Sequence, residues 1–280
     1  RGLRGTCSSC FMMAGPESIE EVALPKAEEA SLVRPLVIFD FDWSLINENS
    51  DTWVIEQLRQ ELDLMHHMRD LHENDPACRA SWTLLMDCMM QKLHEVGVTS
   101  SELEACLREV PYFADMFEVV RWSKSQGCEL AIVSDANEVF IKTILAHHEL
   151  LDIFGEIHTN FADYADCGAG ALRVRPYVPV DQPHSCERCP SNMCKGAIVQ
   201  RMLSSRSATT PVIYIGDGSG DFCAALALRE TDWICAREDF SLLKKLRSPA
   251  GQAGLRASVL TWKDGSDVLS FFKRCVQPHG

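Results

Sequence analysis

The chain has 280 residues, 46% of them hydrophobic, and a formal net charge of −13 at pH 7. This length and composition allow a substantial buried core, as one large domain or as a core with an inserted domain. The charge argues against nucleic acid and anionic membranes as main partners, and no apolar run is long enough to span a bilayer. An acidic protein that binds anionic ligands needs a local cation, from a metal or a lysine.

The chain contains 13 cysteines, which is an odd and rather high number. Most of them lie within apolar patterns, where free cysteine behaves as a small hydrophobic residue. Examples are Cys88, Cys106, Cys223 and Cys235. A secreted disulfide scaffold would be shorter and its cysteines would be more regularly spaced. We therefore expect a reducing, intracellular environment.

Residues 1–33 are small, polar and acidic, and this composition predicts a disordered leader. The segment holds no long apolar run followed by a cleavage site, so we expect no secretory signal. Folded structure is expected to begin at residue 34, just before Pro35, which opens the first strand at a place where a missing N–H donor does little harm.

The first strand is predicted at Leu36–Phe39, an apolar run that suits burial on both faces of a sheet. Asp40 and Asp42 follow it two positions apart, so both side chains point the same way from the strand's carboxyl end. Two carboxylates this close repel each other, and a proton or a cation such as Mg²⁺ must neutralise one of them. In open α/β sheets this edge is where ligands bind. An ordinary acidic turn is the alternative.

Residues 52–111 show helical spacing of apolar residues and contain no predicted strand. Ser50 is placed to cap the first helix, and Thr99-Ser100-Ser101-Glu102 resembles a capping box before the last one. The tryptophans and methionines of this block are predicted to pack in its core. A helical block between the first strand and the next predicts an inserted helical cap on a core of residues 34–51 and 112–280.

A second buried strand is predicted at Cys128–Val133, after a helix that ends at Gly127. Ser134 and Asp135 follow at its carboxyl end, before a helix over Glu138–His148. Polar residues at such a tip often cap the next helix, and capping is the alternative to a role in a site.

Residues 155–194 are predicted to be irregular, with a hairpin around residues 168–178. The region ends in a C-x-x-C pair with a further cysteine after it and a histidine before it: His184, Cys186, Cys189 and Cys194. Cysteine and histidine side chains hold zinc in many proteins. No second well-spaced pair completes a known zinc ribbon, so a zinc-dependent binding module is kept as an alternative.

Lys195 precedes a predicted helix, and the third buried strand follows at Pro211–Ile215. The strand ends in Gly216-Asp217-Gly218-Ser219-Gly220-Asp221, whose aspartates face the same sheet edge and whose glycines permit tight turns. The segment is not a P-loop, because no Gly-Lys-Ser/Thr follows. Three shorter elements are predicted after it: a helix from Ala224, a strand at Asp232–Ala236 and a helix at Asp267–Arg274.

Acidic or hydroxyl groups thus follow three separated strands, and a lysine precedes the helix before the third strand. In this order the residues resemble the four motifs of the haloacid dehalogenase (HAD) superfamily of phosphotransferases, over most of the chain after the leader. The motifs are Asp40-Phe41-Asp42-Trp43-Ser44, Ser134, Lys195 and Gly216-Asp217-Gly218-Ser219-Gly220-Asp221. The resemblance implies an α/β fold, with a doubly wound, Rossmann-like parallel sheet and an inserted helical cap.

The resemblance also implies a role for each motif residue. Asp40 would be the nucleophile that forms an aspartyl-phosphate, and Asp42 would protonate the leaving oxygen and then activate water. Mg²⁺ would be held by Asp40, by the main-chain carbonyl of Asp42 and by Asp217. Lys195 and Ser134 would bind the phosphoryl oxygens as charge develops on them.

The chain more closely resembles the phosphoethanolamine/phosphocholine phosphatase group, through Asn47–Asp51, Ser134–Asn137 and Ser185–Gly196. This resemblance implies a small phosphomonoester with a cationic headgroup as substrate. Asp51 and Asp135 are two carboxylates beyond those that the reaction needs, and they are the expected contacts of the headgroup. Trp43 or Trp53 is available for a cation–π contact. The alternative is that Asp51 and Asp135 cap the helices that follow them.

Two other functions are left open by the sequence. One is the sister activity on pyridoxal 5′-phosphate, whose substrate is aromatic and less cationic, and the other is a non-catalytic phosphate-binding regulator. The intact set of motif residues argues against the regulator. We expect a cytoplasmic protein, and the resemblance adds the lumen of extracellular matrix vesicles and a role in bone mineralisation. The sequence leaves the oligomeric state open.

Overall fold

The computed structural model describes residues 34–166 and 170–276, so the predicted leader, residues 1–33, lies outside the described residues. Within the described residues seven strands form one sheet, with these bounds: β1 Leu36–Phe39, β2 Glu129–Asn137, β3 Glu156–Tyr164, β4 Leu172–Arg175, β5 Val212–Gly216, β6 Trp233–Arg237 and β7 Ser258–Trp262. The spatial order is β4-β3-β2-β1-β5-β6-β7. All neighbours are parallel except β3 and β4, which pair antiparallel. The predicted doubly wound α/β fold is confirmed.

The same residues contain twelve α-helices: α1 Ser50–Gln57, α2 Leu64–Asn74, α3 Pro76–Ala80, α4 Trp82–Glu95, α5 Ser100–Arg108, α6 Ala114–Ser125, α7 Glu138–His147, α8 Lys195–Ser204, α9 Phe222–Ala227, α10 Ser241–Leu246, α11 Pro249–Gly254 and α12 Gly265–Cys275. None of the helices in the described ranges combines the length and the apolar character that a membrane crossing requires.

Strand β1 lies at the centre of the sheet, between β2 and β5. Val37 and Phe39 belong to the buried cluster on one face, to which α6, α7 and α12 contribute. Leu36 and Ile38 belong to the cluster on the other face, with α8, α9 and α10. All four side chains are buried, as a continuous apolar run predicts for a strand that is covered on both faces. This packing fixes the position of the residues that follow β1.

Helices α1 to α5 lie between β1 and β2 in the chain, where helical spacing predicts helices. Their apolar side chains, such as Leu85 and Met89, join the buried cluster on one face of the sheet. Asp87 of α4 accepts two hydrogen bonds from Arg173 and one from the main chain of Val174, at 2.8 to 2.9 Å. These bonds anchor α4 to β4. We propose that the five helices are the cap, and its bounds at residues 52 and 111 stay a prediction.

The start of α1 differs from the prediction. Ser50 lies inside the helix, and Asn49 is the N-cap, because its side chain accepts a hydrogen bond from the main-chain N–H of Thr52 at 2.9 Å. The main-chain N–H of Ser50 donates to Asp42 instead. The capping box formed by Thr99 and Glu102 at the start of α5 is confirmed.

The expectation of an irregular region from residue 155 is wrong at its beginning. Residues Glu156–Tyr164 form β3, and the hairpin joins β3 to β4 instead of lying around residues 168–178. Buried positions of β3 carry Thr159, Asn160 and Ala162, which lack the strong apolar character that marks a buried strand in a sequence. The pattern also fails to predict β7, an edge strand whose side chains are mostly half-buried.

Candidate active site

The carboxyl ends of β1, β2 and β5 surround a cavity of about 300 Å³ together with the start of α8. All seven residues predicted for the site line this cavity: Asp40, Asp42, Asp51, Ser134, Asp135, Lys195 and Asp217. Because the three strands are adjacent and parallel, their carboxyl ends lie at one edge of the sheet, where ligands of α/β proteins bind. The seven residues are brought together by the sheet, by α1, which supplies Asp51, and by α8, which supplies Lys195.

Asp40 and Lys195 form the closest ion pair of the site. Lys195 Nζ lies 2.7 Å from Asp40 Oδ2, and the main-chain N–H of Phe41 donates to Asp40 Oδ1 at 2.7 Å. Burial, and then the charge of Asp221, raise the pKa of Asp40 to about 7 although Lys195 lowers it. Burial lowers the pKa of Lys195, but Asp221 and Asp40 outweigh it and the pKa lies well above its usual range. Lys195 is therefore a permanent buried cation.

Asp221 is held at the sheet edge by four hydrogen bonds. Its Oδ1 accepts from Lys195 Nζ at 3.0 Å and from the Tyr214 hydroxyl at 2.7 Å. Its Oδ2 accepts from the main-chain N–H groups of residues 217–218 at 3.1 and 3.0 Å. A Cβ at Gly216 would lie 2.6 Å from this oxygen, so only glycine permits the approach. Asp221 thus positions Lys195 and the turn after β5.

The donor set at this edge fits a Mg²⁺ ion. Carboxylate oxygens of Asp40, Asp217 and Asp221 lie within 4.8 Å of one another. Because Asp221 already accepts four hydrogen bonds, Asp40 and Asp217 are the carboxylates with free capacity, and Ser44 Oγ steadies Asp217 by donating to its Oδ1 at 3.1 Å. Burial, followed by the charges of Asp40 and Asp221, raises the pKa of Asp217 to about 8. Hard oxygen ligands whose mutual repulsion a divalent cation would relieve are typical of magnesium sites.

Asp42 follows Asp40 by two residues and has a different environment. Burial, and then the charge of Asp51, raise the pKa of Asp42 well above its usual range. The main-chain N–H of Ser50 donates to Asp42 Oδ1 at 3.1 Å and partly offsets this effect. A raised pKa favours the protonated form of the carboxyl group, and this is the form that a general acid requires.

Asp51 lies in the first turn of α1, and it does not cap the helix, because Asn49 does. Its Oδ2 accepts a hydrogen bond from Trp82 Nε1 at 2.8 Å. Burial raises the pKa of Asp51 to about 6, against the lowering effect of the Trp82 hydrogen bond. The capping alternative is therefore wrong for Asp51. Trp82 was predicted to pack in the helical core, but its side chain is 40% exposed and lines the cavity.

The capping alternative is also wrong for Ser134 and Asp135, because the side chain of Asn137 caps α7. Asp135 Oδ1 accepts a hydrogen bond from Asn192 Nδ2 at 3.0 Å, and its Oδ2 lies 3.9 Å from Lys195 Nζ. Ser134 is buried at the wall of the cavity that Lys195 also lines, and its Oγ accepts a hydrogen bond from the main-chain N–H of Ala136 at 3.3 Å. Asn192 was not predicted as a site residue, since it lies in a segment without regular structure.

Of the two tryptophans predicted to contact a headgroup, Trp43 lines the cavity and Trp53 does not. The indole of Trp53 donates to the main-chain oxygen of Cys106 at 3.0 Å and packs against the hydrophobic core. Trp43 has a φ of 55°, and Arg237 fixes this unusual conformation by donating to the Trp43 carbonyl oxygen at 2.7 Å. The guanidinium of Arg237 also lies 5.7 Å from the centroid of the Trp43 ring.

Comparison with known proteins agrees with this geometry. The model of a family described as "Putative Phosphatase" matches residues 35–276. The chain belongs to this phosphatase family. It is 37% identical over 240 residues to a thiamine phosphate phosphatase-like protein of Arabidopsis thaliana, covering 84% of this chain and 93% of the relative. It is 31% identical over 250 residues to the human pyridoxal phosphate phosphatase PHOSPHO2, covering 86% and 98%.

Solved structures support the same fold. A phosphoserine phosphatase bound to its substrate aligns with a TM-score of 0.55 and 13% identity, covering 85% of this chain and 98% of that one. A HAD family hydrolase of Salmonella enterica aligns with a TM-score of 0.57 and 13% identity, covering 89% and 73%. The predicted HAD-superfamily phosphatase is confirmed at the level of family, fold and phosphatase activity.

Proposed function

We propose that this phosphatase is a Mg²⁺-dependent phosphomonoesterase that hydrolyses phosphoethanolamine and phosphocholine through an aspartyl-phosphate intermediate. One observation carries the proposal. A single cavity has a cationic centre at Lys195, beside Asp40, and an acidic group at Asp51 that a neutral indole holds in place. A substrate with a phosphate at one end and an ammonium group at the other is complementary to both ends.

In the proposed first step a carboxylate oxygen of Asp40 bonds to the phosphorus atom and the ester P–O bond breaks. Asp42 gives its proton to the leaving oxygen, so the alcohol departs as a neutral hydroxyl group. In the second step the Asp42 carboxylate takes a proton from water, the water oxygen bonds to phosphorus, and the Asp40 carboxylate is released with inorganic phosphate.

Asp40, Asp217 and the main-chain carbonyl of Asp42 would hold Mg²⁺, which supplies positive charge that lets the phosphate dianion approach a carboxylate. Lys195 binds phosphoryl oxygens and keeps its charge throughout, because Asp221 and Asp40 surround it. Ser134 offers its hydroxyl to the same oxygens from the end of β2. The main-chain and side-chain bonds to Asp221 keep the lysine in one position before substrate binds.

Asp51 and Asp135 are proposed to bind the cationic headgroup, and their environments rank Asp51 first. The donor to Asp51 is the neutral indole of Trp82, so its carboxylate keeps charge for a ligand. Asp135 accepts from Asn192 and faces Lys195, which already partly balances it. Trp43 contributes an aromatic face to the same cavity.

A second candidate is hydrolysis of pyridoxal 5′-phosphate, which the 29–31% identity to proteins of that name favours. Comparing kcat/KM for phosphocholine, phosphoethanolamine, pyridoxal 5′-phosphate and inorganic pyrophosphate at one Mg²⁺ concentration tests both. We expect the two cationic esters to be the best substrates, with Asp40→Asn as the blank. Faster turnover of pyridoxal 5′-phosphate would replace the first candidate by the second. The expected cytoplasmic or matrix-vesicle location stays a prediction.

A further inference from the structure

Four cysteines come together beside the active site, in a cluster formed by Cys186, Cys189, Cys194 and Cys223. Their Sγ atoms all lie within 4.8 Å of one another. The first three belong to the segment that precedes α8, and Cys223 lies in α9. The sequence pattern suggests a small hydrophobic role for Cys223, and the structure contradicts this by making it the fourth member of the cluster.

The spacing of the sulfur atoms suits one metal ion better than a disulfide. Cys186 Sγ and Cys194 Sγ lie 3.7 and 3.9 Å from Cys223 Sγ. A disulfide requires about 2.05 Å. In a tetrahedral zinc site with Zn–S bonds of about 2.3 Å, simple geometry separates the sulfurs by about 3.8 Å. The two observed distances lie on either side of this value.

We propose that these four cysteines form a structural Zn²⁺ site. Four thiolates complete a tetrahedral shell and leave no position for water or substrate, which is the pattern of structural and not of catalytic zinc. The C-x-x-C spacing of Cys186 and Cys189 matches one half of such sites. Cys194 and Cys223 together take the place of the second C-x-x-C pair of such sites. The fold brings these two residues together although they are far apart in the sequence.

The groups around the cluster already hold the sulfurs in place. The main-chain N–H of Ala197 donates to Cys194 Sγ at 3.4 Å. The His184 ring lies between the main-chain N–H of Cys186, at 3.2 Å from Nδ1, and the carbonyl oxygen of Pro190, at 2.8 Å from Nε2. The histidine therefore shapes the loop and is not a fifth ligand. Such outer contacts orient the ligands of metal sites.

Gly196 makes the close approach of the two segments possible. A Cβ at this position would lie 2.6 Å from both the carbonyl oxygen and the Sγ of Cys223. The start of α8 can therefore contact Cys223 only if this residue is glycine.

The proposed zinc site would tie the segment before α8 to the start of α9. Cys194 directly precedes Lys195, and Cys223 follows Asp221 by two residues. Asn192, which donates to Asp135, lies within the same segment. The zinc would therefore hold the base of the active-site lysine without touching substrate. Soft sulfur ligands distinguish it from the hard oxygen site proposed for Mg²⁺.

The test is the metal content of the purified chain, measured by mass spectrometry after dialysis against metal-free buffer that contains no chelator. We expect about one zinc per chain in the wild type. Cys189→Ser and Cys223→Ser should lose most of it and melt at a lower temperature. Cys106→Ser, a matched change outside the cluster, should keep the zinc.

Two results would overturn the proposal: wild-type protein with no zinc above the buffer background, or cluster variants that keep as much zinc as Cys106→Ser. Iron in place of zinc would overturn the choice of metal.

If the serine variants do not fold, the wild-type protein alone can test the proposal. Its cluster thiols should react with a thiol reagent only after a zinc chelator is added, and the released metal should equal the zinc measured before. Immediate reaction of the four cluster thiols, before any chelator is added, would contradict a bound ion.

Discussion

The two ends of the cavity are built in different ways. At the phosphate end most of the functional groups lie directly after the ends of strands. Each charged group there contacts an opposite charge or a hydrogen-bond donor, as Lys195 contacts Asp40 and Asp221. At the headgroup end Asp51 comes from α1, and the donor that contacts it is the neutral indole of Trp82 from α4. The phosphate end is arranged for a reaction that many phosphate esters share. The headgroup end is formed by helices, so substitutions in those helices can alter which substrate is bound.

The largest expected effect is at the phosphate end. Asp40→Asn should reduce kcat by at least about a thousandfold on every substrate, because an amide cannot attack phosphorus. The melting temperature should stay near that of the wild type, because Lys195 loses one partner but keeps Asp221, and the repulsion between Asp40 and Asp221 is removed. Asp152→Asn, an exposed change of the same kind, is the control for activity. Turnover retained by a pure Asp40→Asn preparation would show that another group is the nucleophile.

Asp217→Asn tests the proposed metal site at the same end. Loss of one carboxylate should raise the Mg²⁺ concentration needed for half-maximal activity by about tenfold or more, and should lower kcat as well. Activity is measured over a Mg²⁺ titration with p-nitrophenyl phosphate, which avoids the headgroup end. An unchanged Mg²⁺ dependence with a lower kcat would remove Asp217 from the set of ligands.

Asp51→Asn tests the headgroup end and leaves the nucleophile and the proposed metal ligands in place, while loss of the Asp51 charge also lowers the pKa of Asp42. A desolvated contact with a cation is worth about 1–3 kcal/mol, so kcat/KM for phosphocholine should fall roughly five- to hundredfold relative to p-nitrophenyl phosphate. Asn keeps an oxygen that can accept from Trp82, so the helix packing should survive. Equal losses on both esters would mean that Asp51 does not contact the headgroup.

The sequence reveals the two ends of the cavity unequally, for a physical reason. Asp40 and Asp217 follow buried strands, and the register of a parallel sheet brings strand ends together whatever the loops do. Trp82 meets Asp51 only because α4 packs beside α1, and local apolar spacing cannot show which face of a helix turns to a cavity. Cys223 is hidden in the same way, inside an apolar stretch far from the other cysteines.

The pH dependence of substrate choice sharpens the comparison further. Because the pKa of Asp51 is raised to about 6, its carboxylate is present above that pH and is lost as the pH falls through it. The ratio of kcat/KM for phosphocholine to that for p-nitrophenyl phosphate should therefore decrease below about pH 6. Using a ratio cancels the titration of Asp40 and Asp217, which both esters need. Asp42 protonates the alkyl leaving group and is not needed for p-nitrophenolate, so its titration would raise the ratio as the pH falls and cannot produce the expected decrease. Asp51→Asn supplies the control, because its ratio should not decrease with Asp51 gone.

A ratio that decreases equally in Asp51→Asn would assign the pH dependence to the substrates' own phosphate groups. Trp82→Phe gives a second check, since the indole hydrogen bond lowers the pKa of Asp51. Without that bond the decrease should begin at a higher pH. No shift in this variant would mean that the indole does not set the charge of Asp51.

The smallest selective effect is expected for Asp135→Asn. Its carboxylate accepts from Asn192 and lies 3.9 Å from Lys195, so removal of its charge disturbs the phosphate end as much as the headgroup end. We expect kcat/KM to fall for phosphocholine and for p-nitrophenyl phosphate, with a difference of less than about fivefold between them. Asn192→Ala removes the hydrogen-bond donor to Asp135 and leaves the charge of Asp135. This variant separates the positioning of the Asp135 side chain from its attraction for a cation. If Asp135→Asn were as selective as Asp51→Asn, the cation site would have to extend across the cavity to β2, and both ends would share the task of choosing the substrate.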